Sequence, residues 1–474
     1  MGMRRRASAT PSVFIRGSSR LGATHILHNM AEYPIRKRVG VKRVGVRDVG
    51  HIKVFYDKDI YASHPNRGGI WNFGDGEIAV AHRLKRVDYS TGEGIKSPYY
   101  HDFCHSPWGD ESGILLHRSY DNGQTWPEAE RVWIWHNKDL TLDETLKRLR
   151  PVDVTQRQRI DMGSPDAMLH FNYAGEHLKF PFGGLDETHD PPADPSKAFH
   201  FGKVSHLGPG DNPPTFSMRS PDRGRTWEHH VSMINGPDKG GGCQIVNLGY
   251  VRFDSGILGA LGHTKRLGQQ VAAFYISYDN GMTWRFLSEV ARQPEPVTTY
   301  TRFTYNGVHM LPDGRLMACM LKMPGNQPCV AYSEDDGMSW SGLHFVVGPG
   351  SWDCGLLGEP SPRALEDMEG PIHRSPHALV TSTGRIIVVF ARRWSVEGGR
   401  GILGVVSDDL GETWSKEFVV RGDQYAWDGG YPLITELPDG SFFVVYYFTE
   451  KPPGADIPSW SCVRHIAGSF FRLE

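Results

Sequence analysis

An eight-residue pattern, Ser-x-Asp-x-Gly-x-Thr-Trp, recurs five times in this chain of 474 residues. The copies start at Ser119, Ser220, Ser277, Ser333 and Ser407, and the fourth has Ser339 in place of Thr. Each copy has the chemistry of a hairpin turn. Ser and Asp side chains bond local backbone groups, Gly accepts positive φ, and Trp offers an apolar plate to the adjacent hairpin. A repeat of this kind means one supersecondary unit copied along the chain, its core formed between neighbouring copies.

Before each box lies a second signal: an apolar strand, a turn and another apolar strand. Val308–Ala318, turning at Pro312-Asp313-Gly314, is one example, and His377–Phe390 is another. Tyr431–Val445, turning at Pro438-Asp439-Gly440, is a sixth unit and has no box after it. A period near ~56 residues with insertions fits the four-stranded blades of a propeller. The expected fold is therefore all-β, a six-bladed β-propeller over residues 51–474, with seven blades the less favoured count. Residues 1–50 are expected to form an N-terminal arm. Blade two is assigned to Ala167–Phe171 with His177–Phe180. Blade six is expected to draw its outer strands from both termini, Val463–Leu473 and His51–Tyr56. Leu140–Leu149 is the one short helical candidate.

Composition narrows the function classes. With 39% hydrophobic residues and 13 Trp the chain can bury a large core, which excludes global disorder. The balance of 52 basic against 54 acidic residues excludes a generally basic nucleic-acid binder. The short basic run Arg36–Arg43, interleaved with Val, reads as a strand or arm rather than a nucleic-acid site. No apolar run reaches ~18 residues, so no membrane span is expected. The N-terminus lacks the apolar segment of a secretory signal, so the protein is expected to be cytoplasmic, or secreted or periplasmic where a signal has been removed. Six dispersed Cys without a CxxC motif read as buried thiols. The loop Ser97–Gly113 carries His101, Asp102, Cys104 and His105 in a spacing that matches no standard zinc pattern, so no metal and no cofactor are expected. The insertion Asp186–Asn212 suits a lid or a subunit contact, which leaves a homo-oligomer open.

In such a topology the starts of the innermost strands and the loops between second and third strands share one face. The residues expected there are rich in cations: His64, Arg67 and His82 in blade one, Gln244 and His263 in blade three, Arg302, Tyr305 and Lys322 in blade four. Blade five adds His377, Arg392, Arg393 and Arg400, and blade six adds Asp428 and Tyr431. A local excess of Arg in a neutral protein points to an anionic ligand, with a sugar carboxylate or sulfate held by bidentate guanidinium groups.

The boxes and strand pairs resemble the sialidases and related Asp-box, or BNR-repeat, six-bladed propellers, over about residues 50–474. The resemblance implies that the box aspartates Asp121, Asp222, Asp279, Asp335 and Asp409 are structural, on the face away from the active site. It also implies three arginines on a substrate carboxylate, a Tyr nucleophile with a Glu partner, and an Asp acid/base. Tyr431-Pro-Leu-Ile-Thr-Glu-Leu-Pro-Asp439-Gly resembles the segment that carries the nucleophile. Gly399-Arg400-Gly-Ile-Leu-Gly-Val-Val-Ser407 resembles the strand of the third arginine. Arg67 stands where an Arg-Ile-Pro motif is expected, with Gly68 and Gly69 in place of Ile-Pro, and Asp88 matches the acid/base by position. Two departures stand out. Tyr305 occupies the place of the Glu, and Leu321 and Lys322 occupy the place of the second arginine, which Arg302 or Arg392 would have to supply. Glu359, Glu366 and Glu369 are distant candidates for the missing carboxylate.

Three functions follow as expectations. The first is a retaining, exo-acting glycoside hydrolase on an acidic sugar, with Tyr431 and Asp88 catalytic and Arg67, Arg400, Arg302, Arg392, His377 and Tyr305 binding substrate. A phenol nucleophile suits an anionic sugar, which would repel a carboxylate. The second is a polysaccharide lyase cleaving beside a uronate, with His64 and His82 moving protons. The third is a non-catalytic propeller that binds acidic glycans.

Overall fold

The computed structural model describes residues 39–89, 112–136, 154–173, 215–238, 242–293, 302–323, 325–348, 371–394, 399–454 and 461–474. In chain order, β1 (Val46–Phe55) belongs to the last sheet. Blade one contains β2 (Ile60–Ser63), the short turn α1 (Pro65–Gly68), β3 (Gly69–Asn72), β4 (Ile78–Arg86), β5 (Ser112–Ser119) and β6 (Val132–His136). Blade two contains β7 (Met168–Tyr173), β8 (Thr215–Ser220) and β9 (Ser232–Ile234). Blade three is β10 (Cys243–Arg252), β11 (Leu258–Arg266), β12 (Gln269–Ser277) and β13 (Arg285–Arg292). Blade four is β14 (Arg302–Met310), β15 (Leu316–Met323), β16 (Gln327–Ser333) and β17 (His344–Phe345). Blade five is β18 (Ile372–Val380), β19 (Ile386–Trp394), β20 (Gly401–Ser407) and β21 (Phe418–Arg421). Blade six starts with β22 (Gly430–Glu436), β23 (Phe442–Phe448) and β24 (His465–Leu473).

Six sheets result, each antiparallel, with the strands of a blade side by side in chain order. Blade six runs β22-β23-β24-β1, so the C-terminal strand pairs with the N-terminal one and the ring closes between the termini as expected. β1 starts at Val46, inside the stretch expected as an arm. Residues 39–45 lie along blade five's box, where Val39 bridges Trp414 and Val41 N–H donates to the Trp414 carbonyl at 3.1 Å. Blade two departs from the sequence reading. β7 pairs directly with β8, the strand that ends in the box, so Ala167–Phe171 supplies the second strand of its blade and not the first. His177–Phe180 and Leu140–Leu149 fall outside the described residues, as do His101, Asp102, Cys104, His105, Glu359, Glu366, Glu369 and the insertion Asp186–Asn212.

The strands are apolar on both faces because both faces are covered. In β19, Ile387, Val389 and Ala391 pack against blade six, while Val388 and Phe390 pack against blade four. Period-two alternation between two buried faces yields the continuous apolar run that the sequence shows. Each box closes a turn between third and fourth strands. In the first, Ser119 Oγ bonds Asp121 Oδ1 at 2.7 Å and accepts from Gly123 N–H at 2.8 Å, and Thr125 donates to Asp121 through both N–H and Oγ1. The box tryptophans rivet blade to blade: Trp126 packs on Phe443, Trp284 on Phe171 and Trp340 on Phe274.

Blade two adds a buried ion triad. Glu228, 4% exposed, takes Arg219 in a fork, Nε to Oε1 at 3.0 Å and Nη2 to Oε2 at 2.8 Å. Arg157 Nη2 meets the same Oε2 at 2.6 Å. Removing the shared carboxylate strands two buried guanidinium groups. Glu228→Ala should therefore lower unfolding stability by about 3–5 kcal/mol in a urea titration, whereas a loss under about 1 kcal/mol would show the triad to be dispensable.

Candidate functional site

The innermost strands of blades four, five and six, and the divided inner edge of blade one, share one irregularity. Strand pairing slips between Thr304 and Gly307, between Arg374 and His377, and between Gly430 and Leu433. In blade one the edge is broken outright, with β2 and β3 pairing with different halves of β4 on either side of α1. At each break a non-glycine residue takes positive φ: His64 (53°), Tyr305 (56°), Ser375 (46°) and Tyr431 (54°). Pro follows in three of them, as His64-Pro65, Ser375-Pro376 and Tyr431-Pro432. Proline has no N–H for the ladder, so pairing fails there and the chain kinks. Left-handed backbone at a non-glycine residue costs energy and clusters where side chains must be aimed for function. The kinks in blades four and five lie at the end of the blade opposite the boxes, since Met310 pairs through Leu316 to the box residue Ser333 and Val380 pairs through Ile386 to Ser407.

These kinks bring four blades together at one centre. Tyr305 Oη and Tyr431 Oη are 3.0 Å apart. The His64 ring stands 4.6 Å from the Tyr431 ring and stacks on Tyr447 at 5.3 Å, and Tyr447 also stacks on Tyr431 at 5.6 Å. Arg393 places its guanidinium 5.4 Å from the centre of the Tyr431 ring. Arg374, 6% exposed, donates to Asn326 Oδ1 at 2.9 Å and has Tyr305, Arg393, Tyr431 and Arg302 as its electrostatic neighbours. The cations continue around the ring. His263 is within the influence of both Arg302 and Arg67, and the Gln244 amide, with its oxygen facing Arg67, accepts from both Arg67 Nη atoms at 2.8 and 2.9 Å and donates to His263 Nε2. Burial lowers the Arg374 guanidinium below its ordinary value, and Arg393 adds to this. Burial pushes the Tyr431 phenol well up from its ordinary value, and Tyr305 adds to it.

Of the residues expected from sequence, the structure assembles Tyr431, Tyr305, His64, Arg302, Arg67, Gln244, His263 and Arg393 along this arc and places His82, Arg392, Arg400, His377 and Asp88 elsewhere. His82 is fully buried against Phe55 and His117, its Nε2 2.8 Å from His117 Nε2, on partners that belong to none of the groups gathered at Tyr431. Arg392 faces Glu417 and donates to the Gly399 carbonyl, because strand alternation turns its neighbour Arg393, not Arg392, toward Tyr431. Arg400 gives Nε and Nη1 to the carbonyls of Arg393 and Tyr425, so it braces backbone. His377 accepts from Ile434 N–H and lines a cavity of about 410 Å³ together with His309 and Val380, toward the box end of the inner strands. Asp88 is exposed just beyond β4, where Val87 N–H donates to Asp59. Three residues of the centre were not singled out from sequence: Arg374, Ser375 and Tyr447. The recurring X-Pro step of the inner strands marks Ser375, and with it Arg374.

The six antiparallel sheets, the box turns and this aromatic and cationic centre define a BNR-repeat propeller. The sequence signature described as a BNR repeat-like domain matches residues 208–444, half of the chain, and the chain belongs to that family. A protein of unknown function from Dyadobacter fermentans has a similar structure, with a TM-score of 0.58 at 20% identity over 91% of this chain and 100% of that one. The microbial sialidase Hz136 from the Hadza matches with a TM-score of 0.49 at 16% identity, over 86% of this chain and 65% of its own. The NanB sialidase of Streptococcus pneumoniae gives a TM-score of 0.47 at 14% identity, over 87% and 70%. No curated protein matches the chain.

Proposed function

We propose that the protein cleaves glycosidic bonds of a carboxylated sugar, with Arg302, Arg374 and Arg393 holding the carboxylate and Tyr431 as the reacting group. The Tyr305–Tyr431 phenol pair, ringed by these guanidinium groups at the meeting point of several inner strands, is the observation that carries the reading. Planar guanidinium groups suit a carboxylate, and a neutral phenol approaches an anionic sugar where a carboxylate would be repelled. The first reaction class is hydrolysis at a chain end, as the resemblance of the Tyr431 segment to the nucleophile segment of sialidases implies.

A specific observation favours a second class, β-elimination beside a uronate. Among the described residues, Tyr431 shares its hydroxyl contact with another phenol, Tyr305, and burial holds the Tyr431 proton on. A phenol that keeps its proton is suited to protonate a leaving oxygen. Incubation with sialylated and uronate-containing glycans, followed by mass analysis of the products, separates the two. Hydrolysis adds one water across the broken bond, elimination leaves an unsaturated, ultraviolet-absorbing end, and absence of either product with every acidic glycan overturns both. Arg374→Lys keeps the charge but loses the planar fork, so KM for the carboxylated substrate should rise about tenfold with kcat little changed. An unchanged KM would remove Arg374 from the clamp.

A further inference from the structure

Asp428 is buried, 1% exposed, three residues before Tyr431. Two phenols donate to its carboxylate, Tyr61 to Oδ2 and Tyr447 to Oδ1. Two guanidinium groups flank it, Arg393 Nη2 at 3.6 Å and Arg464 Nε at 3.9 Å. The Gln424 amide donates to the Asp428 carbonyl at 3.3 Å and fixes the loop that carries it. Arg393 links this carboxylate to the tyrosine centre. The same guanidinium stands over the Tyr431 ring and lies 3.5 Å from Tyr447 Oη.

We propose that Asp428 is the positioning residue that sets the charge of the tyrosine centre: it offsets Arg393 and so holds the Tyr431 phenol protonated. Among the described residues, the titratable and charged groups facing Tyr431 include Tyr305 from β14, His64 beside α1, Tyr447 from β23, Arg393 from β19 and Arg374 from β18. Those facing Asp428 are Tyr61 from β2, Tyr447, Arg393 and Arg464. Among the described residues, Arg393 and Arg374 act on the Tyr431 phenol as cations, and nearby cations favour phenolate. The Asp428 carboxylate beside Arg393 opposes this, and the expected effect is about tenfold or more in the ionisation constant. Neutral Asn in place of Asp428 keeps the shape and removes the opposition.

The inference rests on Tyr431 being the reacting group, but its readout is taken on the free protein, so its failure is distinguishable from absence of turnover. Difluorotyrosine placed at position 431 ionises at lower pH than tyrosine, and its fluorine resonances report ionisation at that site alone. In Asp428→Asn the titration should move down by about one pH unit or more. Asp428→Glu should return it toward the wild-type position, and Arg393→Gln should move it up. Should Asp428→Asn not fold, Asp428→Ser removes the same charge with a smaller side chain, and the same downward shift is expected. A titration that stays in place or moves up when the charge is removed overturns the proposal. So does a variant that only lowers thermal stability while the resonances titrate as before.

Discussion

Tyr431→Phe should lose turnover on an acidic glycan by about a thousandfold or more while its thermal unfolding stays close to wild type. The change removes one oxygen and keeps the ring. The ring is what the interior packs against: His64 and Tyr447 contact its faces, and Tyr431 belongs to the cluster with Leu433, Val445 and Ile466. The phenol oxygen contributes the contact with Tyr305 Oη, and a single hydrogen bond is worth about 1 kcal/mol net. Chemistry and stability are thus separable at this position. Kinetics on a purified variant, beside its melting curve, decide the matter: near-wild-type turnover would remove Tyr431 from the reaction under either cleavage class.

The second large effect is acid lability. His82, His170 and His377 are buried, and burial lowers them from the ordinary value of 6.5 to about 4, about 4 and about 3. A folded-state value below the unfolded one means that the unfolded chain takes up protons first as pH falls. Stability is therefore unaffected by these groups above about pH 6.5 and drains between there and about pH 4. At pH 5, one and a half units below the unfolded value, each costs about 2 kcal/mol. Three together approach the whole stability of a typical domain, ~5–15 kcal/mol. The denaturation midpoint should fall steeply between pH 6.5 and 5, with net proton uptake on unfolding. His82→Gln should flatten that fall. A midpoint constant down to pH 5 would contradict the neutral, buried state of these imidazoles.

The site was less legible in the sequence than the fold. Tyr431 was visible through its segment and its distance from the Asp439-Gly turn. Arg392 and Arg393 were both visible, but which one turns inward depends on pairing, since a shift of one residue swaps the faces of a strand. Strand alternation with the observed register turns Arg393 inward and Arg392 toward Glu417. Arg400 stood in the right strand, yet nearby carbonyls take two of its N–H groups. Tyr61 and Tyr447 look like ordinary strand aromatics until Asp428 comes between them. Each of these outcomes depends on partners far away in the chain.

The sequence by itself determined the architecture, because box turns, Asp-Gly turns and two-sided apolar strands are local signals that repeat, and repetition leaves few ways to bury so much apolar surface. It also placed the closure between the termini, since the sixth unit lacked outer strands and only the chain ends could supply them. The tertiary structure alone decided which polar residues meet. Kinks at His64, Tyr305, Ser375 and Tyr431 aim side chains from four blades, and contacts such as Tyr305–Tyr431, separated by 126 residues, leave no periodic trace in the sequence.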